Sequence, residues 1–360
     1  MTFLQFKHQY LKSYTVANRW SEGLKYTLSD DETYYIVSGM GTCTDTDIVI
    51  PSRYESKPVK AIGNSAFKNC TSFVSIFIPK SIIRIEDSAF SYCTNLEIVN
   101  FEKNSKLESI NYGAFYYCNL ISIEIPNGVT SIGNVAFYMC SGLVEVINKS
   151  SLNITKGSED YGYVACYALE VHSGESKIVN IDDYLFFAHE GANYLMGYIG
   201  NDTTLVLPES YNGENYEIYH NAFYGCDSVT SIIIPNSVTN INASFSGCNL
   251  SSYSVYDNAK YIGNAENPYL VLIAATSKTI TSCVIHEDAK LIAGSAFFFC
   301  SSLESVTVPI SVTAIGSGAF ALCSNFNKIY YAGSEEEWEK ISIYDDTILS
   351  KPWMHFYFNS

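Results

Sequence analysis

Eleven cysteines and six histidines have the broadest chemistry in this 360-residue chain, because thiolates and imidazoles bind metals and act as nucleophiles or bases. Their spacing does not match those uses. The sequence has no Cys-x-x-Cys pair, the usual zinc or thiol-redox motif, and no His-Glu-x-x-His pattern. Glycines occur singly and form no phosphate-binding loop. We therefore expect no catalytic residues, no cofactor and no metal site, and we predict that the protein is not an enzyme.

Eight of the cysteines recur in one context, three residues after the phenylalanine of an Ala-Phe or Ser-Phe pair. Neighbouring copies within a run lie 22 to 25 residues apart, a period typical of a solenoid whose coils stack on one another. Like residues then lie above like, which predicts an internal ladder of Phe rings and another of free, buried thiols. The predicted ladder residues are Phe67, Cys70, Phe90, Cys93, Phe115, Cys118, Phe137, Cys140, Phe223, Cys226, Phe245, Cys248, Phe297, Cys300, Phe320 and Cys323.

Each repeat also supplies one short strand. In one copy Ile123 and Ile125 alternate with polar residues, the period of a half-buried strand, and Pro126 ends it because proline donates no hydrogen bond to a ladder. A second apolar pair, Val129 and Ile132, follows on the opposite side of the coil. No coil can bury its apolar side alone, so the fold depends on contacts between neighbouring coils.

The repeat unit resembles that of the bacterial BspA-like leucine-rich-repeat family, the LRR_5 type. Three stretches carry the resemblance: residues 120–140 (LISIEIPNGVTSIGNVAFYMC), 229–248 (VTSIIIPNSVTNINASFSGC) and 303–323 (LESVTVPISVTAIGSGAFALC). It extends over about residues 34–340. The resemblance implies a leucine-rich-repeat solenoid: a right-handed superhelical stack, mostly β and loop, with one short parallel strand per coil of about 23 residues. We expect interrupting β-hairpins and terminal caps in addition.

Two gaps break the period, from Phe137 to Phe223 and from Phe245 to Phe297. Paired apolar runs that begin at Tyr34, Tyr194 and Tyr269 predict β-hairpins, each of which opens a sub-array. The predicted divisions of one continuous solenoid are an N-terminal cap (1–33), sub-array 1 (34–149), an irregular excursion with a hairpin (150–193), sub-array 2 (194–267), sub-array 3 (268–333) and a C-terminal cap (334–360).

The two caps have distinct patterns. An amphipathic helix over residues 4–20 would cover the first coil, and a helix after Ser334, with Trp338 and Ile341 on one face, would close the last.

The excursion is the least regular part of the chain. Residues 150–174 form either a protruding loop or a degenerate coil in which Val164 and Ala168 are buried. Three cysteines lie outside the repeat phase, and the sequence leaves open whether they are free: Cys43, Cys166 and Cys283.

Charge and hydropathy restrict the partners and the location. The formal net charge of −16 argues against nucleic acid and anionic membranes as partners, because both attract basic proteins. No apolar run reaches the length of about 18 residues that would indicate a membrane span. The first residues, MTFLQFKHQYLKSYTV, lack the apolar core of a signal peptide, so a cytoplasmic location stays open. The family resemblance implies instead an extracellular or cell-surface protein.

The strand face of the coils is the surface most suited to a partner, because its non-core positions line one side of a leucine-rich repeat. Several large apolar residues break its small and polar character and predict a protein-contact patch, although solenoid sheets also carry such residues because they favour strands. The candidate contact residues are Phe77, Ile98, Asn100, Glu124, Glu145, Ile147, Ile233 and Tyr330.

We therefore expect a non-catalytic repeat protein that binds another protein. The family resemblance implies a bacterial surface or secreted, adhesin-like protein whose partner is a host or cell-surface protein. The alternative is a structural spacer in a cell-surface assembly, without a specific ligand.

Overall fold

The computed structural model describes residues 20–344 and 349–359. The chain divides into two compact units, Met1–Ile181 and Asp182–Ser360, and each contains stacked coils. We call them unit 1 and unit 2. Their boundary lies inside the segment 150–193, while the finer division into sub-arrays stays a prediction. The predicted N-terminal helix lies, except for Trp20, outside the described residues.

Unit 1 alternates between two sheets as the chain winds. Its strands are β1 (Lys25–Leu28), β2 (Tyr35–Gly39), β3 (Asp47–Val49), β4 (Arg53–Tyr54), β5 (Lys57–Ile62), β6 (Ser75–Ile78), β7 (Arg84–Ile85), β8 (Ile98–Phe101), β9 (Ser109–Ile110), β10 (Ser122–Ile125), β11 (Ser131–Ile132), β12 (Glu145–Asn148), β13 (Glu170–His172) and β14 (Val179–Ile181). The parallel sheet β3-β6-β8-β10-β12-β13 is the strand face. The second sheet runs β1-β2-β5-β7-β9-β11, with only β1 and the side strand β4 antiparallel to their neighbours.

Unit 2 repeats this plan in shorter runs. Its strands are β15 (Tyr184–His189), β16 (Ala192–Tyr198), β17 (Thr204–Val206), β18 (Tyr216–Ile218), β19 (Ser231–Ile233), β20 (Val238–Ile241), β21 (Ser254–Tyr256), β22 (Ala259–Ile262), β23 (Val271–Ala275), β24 (Ser282–Val284), β25 (Leu291–Ile292), β26 (Ser305–Val308), β27 (Ala314–Ile315), β28 (Lys328–Tyr331), β29 (Ser342–Ile343) and β30 (His355–Phe358). Its strand-face sheets are the pair β17-β19 and the parallel sheet β24-β26-β28-β30. Among the described residues there are also two four-residue helices, α1 (Asp160–Tyr163) in unit 1 and α2 (Glu335–Trp338) in unit 2.

A regular coil contains two strands. The first, such as β10, ends before Pro126 as expected, and the second, β11, contains Ile132 of the apolar pair that the sequence placed on the opposite side. Each pairs in parallel with the corresponding strand of the preceding coil, β10 with β8 and β11 with β9. The predicted solenoid fold is therefore confirmed, with a second short strand in each regular coil.

The phenylalanines of the repeat stack inside the coils. In unit 1, the rings of Phe67, Phe90, Phe115 and Phe137 have centroids 5.0 to 5.2 Å apart and interplanar angles of 1° to 15°. All four side chains are fully buried. Their backbones also bond from coil to coil: the Phe90 N–H donates to the Ala114 carbonyl at 2.7 Å. Each ring thus contributes burial to its own coil and to the next.

The repeat cysteines donate to the backbone of the preceding coil. The Sγ atoms of Cys118 and Cys140 lie 3.0 Å from the carbonyl oxygens of Phe90 and Phe115. The pairs Cys93–Phe67 and Cys323–Phe297 show the same 3.0 Å contact. Burial raises the pKa of Cys140 to about 12, which keeps the thiol protonated as a donor. Two ladder cysteines, Cys70 and Cys248, are only half-buried.

Antiparallel hairpins occur in each unit, but with different strands from those that the sequence predicts. We expected the run at Tyr34 to pair with the run at Ile48. Instead β2 pairs with the preceding β1, and Ile48 lies in β3, parallel to β6 and in register with Ile76. The corresponding hairpins in unit 2 are β15 with β16 and β22 with β23. The prediction failed because both apolar runs are buried solenoid strands, and an earlier segment covers the sheet edge.

The excursion forms a degenerate coil and not a protruding loop. Val164 and Ala168 are buried, and β13 continues the strand face in register with β12. The Phe137 N–H donates to the carbonyl of Gly162, whose φ is 67°. A Cβ atom at Gly162 would lie 2.3 Å from the Gly133 carbonyl oxygen, so this close approach requires glycine.

The helix after Ser334 begins with a capping box. The backbone N–H of Glu337 donates to the Ser334 hydroxyl, and the Glu337 carboxylate accepts the Ser334 N–H. Trp338 and Ile341 are buried beyond it, with the Trp338 ring 5.2 Å from that of Tyr331. The chain then adds β30 to the strand face.

Candidate protein-contact surfaces

The predicted contact residues of unit 1 are less exposed than the sequence indicates. Phe77 and Ile147 expose only 5% and 6% of their surface. Phe77 lies in register between Val49 and Asn100, so side chains of two neighbouring strands flank it. The exposure that we predicted for Phe77 and Ile147 is therefore wrong. Three further candidates are half-buried: Ile98, Asn100 and Glu124.

Glu145, another predicted contact residue, is fully buried in a hydrogen-bond network. The hydroxyls of Ser122 and Ser176 each donate to Oε2 at 2.6 Å. The backbone N–H of Lys177 donates to Oε1 at 2.6 Å, and His172 Nε2 lies 3.1 Å from the same oxygen. These charge-assisted bonds replace the lost hydration of the carboxylate. Glu145 therefore connects the segment 172–177 to the strand face instead of contacting a partner.

The serine, histidine and glutamate of this network do not form a nucleophilic triad. His172 Nδ1 accepts the backbone N–H of Gly174 at 3.0 Å, so in the neutral ring the proton is on Nε2, which faces Glu145. Both serine hydroxyls donate to the carboxylate. Nucleophilic activation requires a hydroxyl that donates to the base. The network holds the chain in place and does not activate a hydroxyl.

In unit 2 the outer face of the sheet β24-β26-β28-β30 carries a row of four side chains, three of them exposed and one, Thr307, half-buried. Val284, Thr307, Tyr330 and Tyr357 lie opposite one another in register, and we call them the contact row. Val284, Tyr330 and Tyr357 expose 45%, 41% and 48% of their surface. The two tyrosine rings stack with centroids 4.9 Å apart. The row is therefore a continuous surface with aromatic residues at one end.

Two of the predicted contact residues are exposed, Tyr330 in the contact row and Ile233 on β19. Ile233 lies in register with Val206, which is also exposed. Sequence reasoning missed Val284 and Tyr357. The period-two pattern of β30, HFYF, was the signal that could have identified Tyr357 as an outward strand position.

Sequence reasoning also missed an aromatic surface on the Phe-x-x-Cys turns of unit 1. Tyr92, Tyr116, Tyr117, Tyr138 and Tyr163 form a continuous series of ring contacts with centroid separations of 4.8 to 6.4 Å. We call these five residues the tyrosine ridge. Its turns are linked by backbone bonds, such as Tyr92 N–H to the Tyr116 carbonyl at 2.8 Å. The signal was the aromatic residues between Phe and Cys in successive repeats, which account for every ridge residue except Tyr163.

Three ridge residues have left-handed backbone conformations: Tyr92, Tyr117 and Tyr163. Tyr92 has φ of 61° and Tyr117 has φ of 59°, whereas Asn69 and Gly225 occupy the same turn position in other coils with φ of 63° and 72°. Glycine and asparagine adopt this region readily, while other L-residues cost about 1–2 kcal/mol there. Backbone conformation therefore does not account for tyrosine at these positions. Tyrosine at these positions adds an exposed ring.

The structure offers little for metal chemistry. Across residues 20–344 and 349–359, no three His, Cys, Asp or Glu side chains are grouped so that they could hold a metal ion. In the same part of the chain, no helix is long and apolar enough to cross a membrane.

The repeat pattern matches a known family of bacterial repeat proteins. A family model described as "BspA type Leucine rich repeat region" matches six copies, over residues 60–192 and 216–349. The chain belongs to this family. In this BspA-type protein, the tyrosine ridge and most of the contact row lie within the matched residues, and Tyr357 follows them. No curated protein matches the sequence.

Solved structures of bacterial repeat proteins are similar to this BspA-type chain. A leucine-rich cell surface protein from Faecalibacterium prausnitzii is 22% identical, with 90% of this chain and 97% of that chain covered and a TM-score of 0.31. The pneumococcal vaccine antigen PcpA is 15% identical, with 95% and 98% covered and a TM-score of 0.33. A leucine-rich repeat protein from Bacteroides ovatus is 20% identical, with 95% and 100% covered and a TM-score of 0.28. These similarities carry no argument about function.

Proposed function

We propose that this BspA-type protein is a non-catalytic, adhesin-like surface or secreted protein that binds a host or cell-surface protein through the contact row. The observation that supports this most directly is the exposure, in register, of Val284, Tyr330 and Tyr357. Tyrosine is enriched at protein interfaces because it buries a large area and loses few rotatable bonds.

The residues beside the contact row also suit an interface. On the same strands, Ser282, Ser305, Lys328 and His355 lie opposite one another in register and form a polar row. An apolar centre next to polar residues is typical of protein interfaces. The formal net charge of −16 favours a protein partner over nucleic acid.

The second candidate function is a structural spacer in a cell-surface assembly. Exposed aromatic and β-branched residues on a parallel sheet are consistent with it, because such residues favour strands without contacting a partner. The two functions predict different results when the contact row is changed. A binding protein would lose affinity for its partner, whereas a spacer has no specific partner to lose.

Surface plasmon resonance against a panel of purified host extracellular-matrix proteins tests the proposal. The wild-type protein should bind at least one member, and the double variant Tyr330→Ser/Tyr357→Ser should weaken that binding by about tenfold or more, because interface tyrosines carry much of the binding energy. The matched control is Ile310→Ser, which changes an exposed apolar residue outside the row and should leave affinity within about twofold.

Circular dichroism of both variants should match the wild type, because all three side chains are exposed. Absence of binding to every panel member, or equal binding by the double variant, would contradict the adhesin-like role and favour the spacer.

A further inference from the structure

We propose that the tyrosine ridge of unit 1 is a second binding surface, which takes a lysine- or arginine-bearing segment of a partner protein. This inference is independent of the contact row and of the binding proposed there. Two observations carry it: the exposure of tyrosine rings on the ridge and the charges around them.

Two rings of the ridge are exposed, unlike the buried phenylalanines next to them: Tyr92 and Tyr117 expose 40% and 41% of their surface, and the other three ridge tyrosines are half-buried. Phe67 and Phe90 stack within 1° of parallel, so their neighbouring faces cover each other. In the ridge, Tyr92 and Tyr116 meet at 64°, and Tyr138 and Tyr163 meet at 69°. In such edge contacts, the edge of one ring meets the face of its neighbour, so the two rings do not stack in parallel. An ammonium or guanidinium group is attracted to aromatic rings, and the exposed Tyr92 and Tyr117 are the ridge rings that it can reach.

The charged side chains within the turns that carry the ridge are all acidic, while Lys68 lies on the turn of the preceding coil and Lys156 just before the last segment. The turn segments that carry the ridge, residues 86–93, 111–118, 133–140 and 157–166, contain no lysine or arginine. They contain four carboxylates: Glu86, Asp87, Glu159 and Asp160. Glu86 is paired with Arg84, whereas the other three are exposed. Carboxylates beside aromatic faces favour a cationic partner over an anionic or purely apolar one.

Two ridge tyrosines have a raised pKa. The nearby charge of Glu159 raises the pKa of Tyr163, and a hydrogen bond with Tyr92 raises the pKa of Tyr116. These two phenols therefore stay protonated and can donate hydrogen bonds.

The backbone conformation indicates which substitution removes the ring and keeps the turn. At the turn position of Tyr92 and Tyr117, Asn69 shows that asparagine fits the same left-handed conformation. Met139 and Leu322 adopt it as well, so the conformation belongs to the repeat turn and not to the ridge alone. The variant that removes the rings and keeps the fold is therefore Tyr92→Asn/Tyr117→Asn.

Fluorescence anisotropy with a fluorescein-labelled KGKGKGKG peptide, in about 0.15 M salt, tests the inference. Wild-type protein should bind the peptide, and Tyr92→Asn/Tyr117→Asn should weaken binding by about tenfold, because two cation–π contacts are lost. The variant leaves net charge unchanged, so its effect separates the rings from general attraction to an acidic protein. An EGEGEGEG peptide should not bind.

The matched control is Phe299→Asn/Leu322→Asn in unit 2. These residues occupy the same exposed turn position, with φ of 61° and 60°. There Lys278 Nζ donates to the Phe298 carbonyl at 2.6 Å, so the turn carries a positive charge. This control should bind the lysine peptide within about twofold of wild type, as should Tyr330→Ser/Tyr357→Ser.

Equal binding by wild type and Tyr92→Asn/Tyr117→Asn would overturn the inference, because net charge alone would then explain attraction. Failure of the wild type to bind would overturn it as well, as would an equal loss in the Phe299→Asn/Leu322→Asn control. A loss confined to the ridge variant, with unchanged circular dichroism, would support it.

Discussion

The Phe-x-x-Cys pair combines two interactions that only a stack of coils can provide. The phenylalanine ring stacks on the ring of the next coil, as in Phe115 and Phe137, whose centroids are 5.2 Å apart. The thiol three residues later donates to a backbone carbonyl of the coil before, as Cys140 does to Phe115. The first contact is apolar and the second satisfies a buried acceptor, so both residue types have a physical reason to recur.

Phe137→Ala should lower the free energy of unfolding by about 3–5 kcal/mol, because it removes a fully buried ring and leaves a cavity between coils. Urea denaturation followed by circular dichroism measures this loss. Met139→Ala is the matched control, since Met139 is exposed two residues away and its truncation should change stability by less than about 0.5 kcal/mol. Similar losses in the two variants would show that the ladder does not stabilise the stack.

At the scale of elements, one carboxylate links β12 to the segment that follows β13. Glu145 accepts hydrogen bonds from Ser122 on β10 and from Ser176 and Lys177 beyond β13. The last coils of unit 1 are thus connected by polar contacts as well as by their ladders. A buried charge of this kind is stable only while its donors are in place.

Glu145→Gln should lower the free energy of unfolding by about 2–4 kcal/mol. The amide NH₂ group of glutamine would replace a carboxylate oxygen that accepts hydrogen bonds, and the groups around it are themselves donors. Hydrogen exchange should show faster opening of residues 172–177 than in the wild type. Glu108→Gln makes the same chemical change at an exposed site and should have little effect. An unchanged unfolding midpoint for Glu145→Gln would mean that the network contributes nothing to stability.

At the scale of the whole molecule, both units hold acidic groups in their protonated form. Burial raises the pKa of Cys140 in unit 1 and of Cys283 in unit 2 to about 12, from a model-compound value of 9.0. The folded chain therefore binds protons that the unfolded chain releases above about pH 9. This contribution to stability is complete below pH 9 and is lost as pH rises towards 12.

Urea denaturation at a series of pH values measures this dependence. The midpoint should fall as pH rises from about 9 to 11, because unfolding then releases thiol protons. Cys140→Ala removes one of these groups, so its midpoint should fall less steeply over the same range. A midpoint that stays constant up to pH 11 would contradict the buried, protonated state of the thiols.

Several features of the fold could be read from the sequence because they repeat. The strand positions, the terminating prolines and the Phe-x-x-Cys turns follow from one period, and the solenoid is confirmed. Hairpin partners could not be read in this way. The run containing Ile48 and the run at Tyr35 are both apolar. Only the tertiary structure shows that the first pairs with β6 and the second with β1.

The sequence by itself determined which residues face the interior, because a repeated apolar position has only one environment that suits every coil. Only the tertiary structure decided which outward positions remain exposed. Phe77 and Tyr330 occupy equivalent strand positions, each between two neighbouring strands, yet Phe77 exposes 5% of its surface and Tyr330 exposes 41%. Glu145 likewise resembles a surface residue until the segment 172–177 covers it. Exposure depends on contacts between distant segments, and no local pattern encodes those contacts.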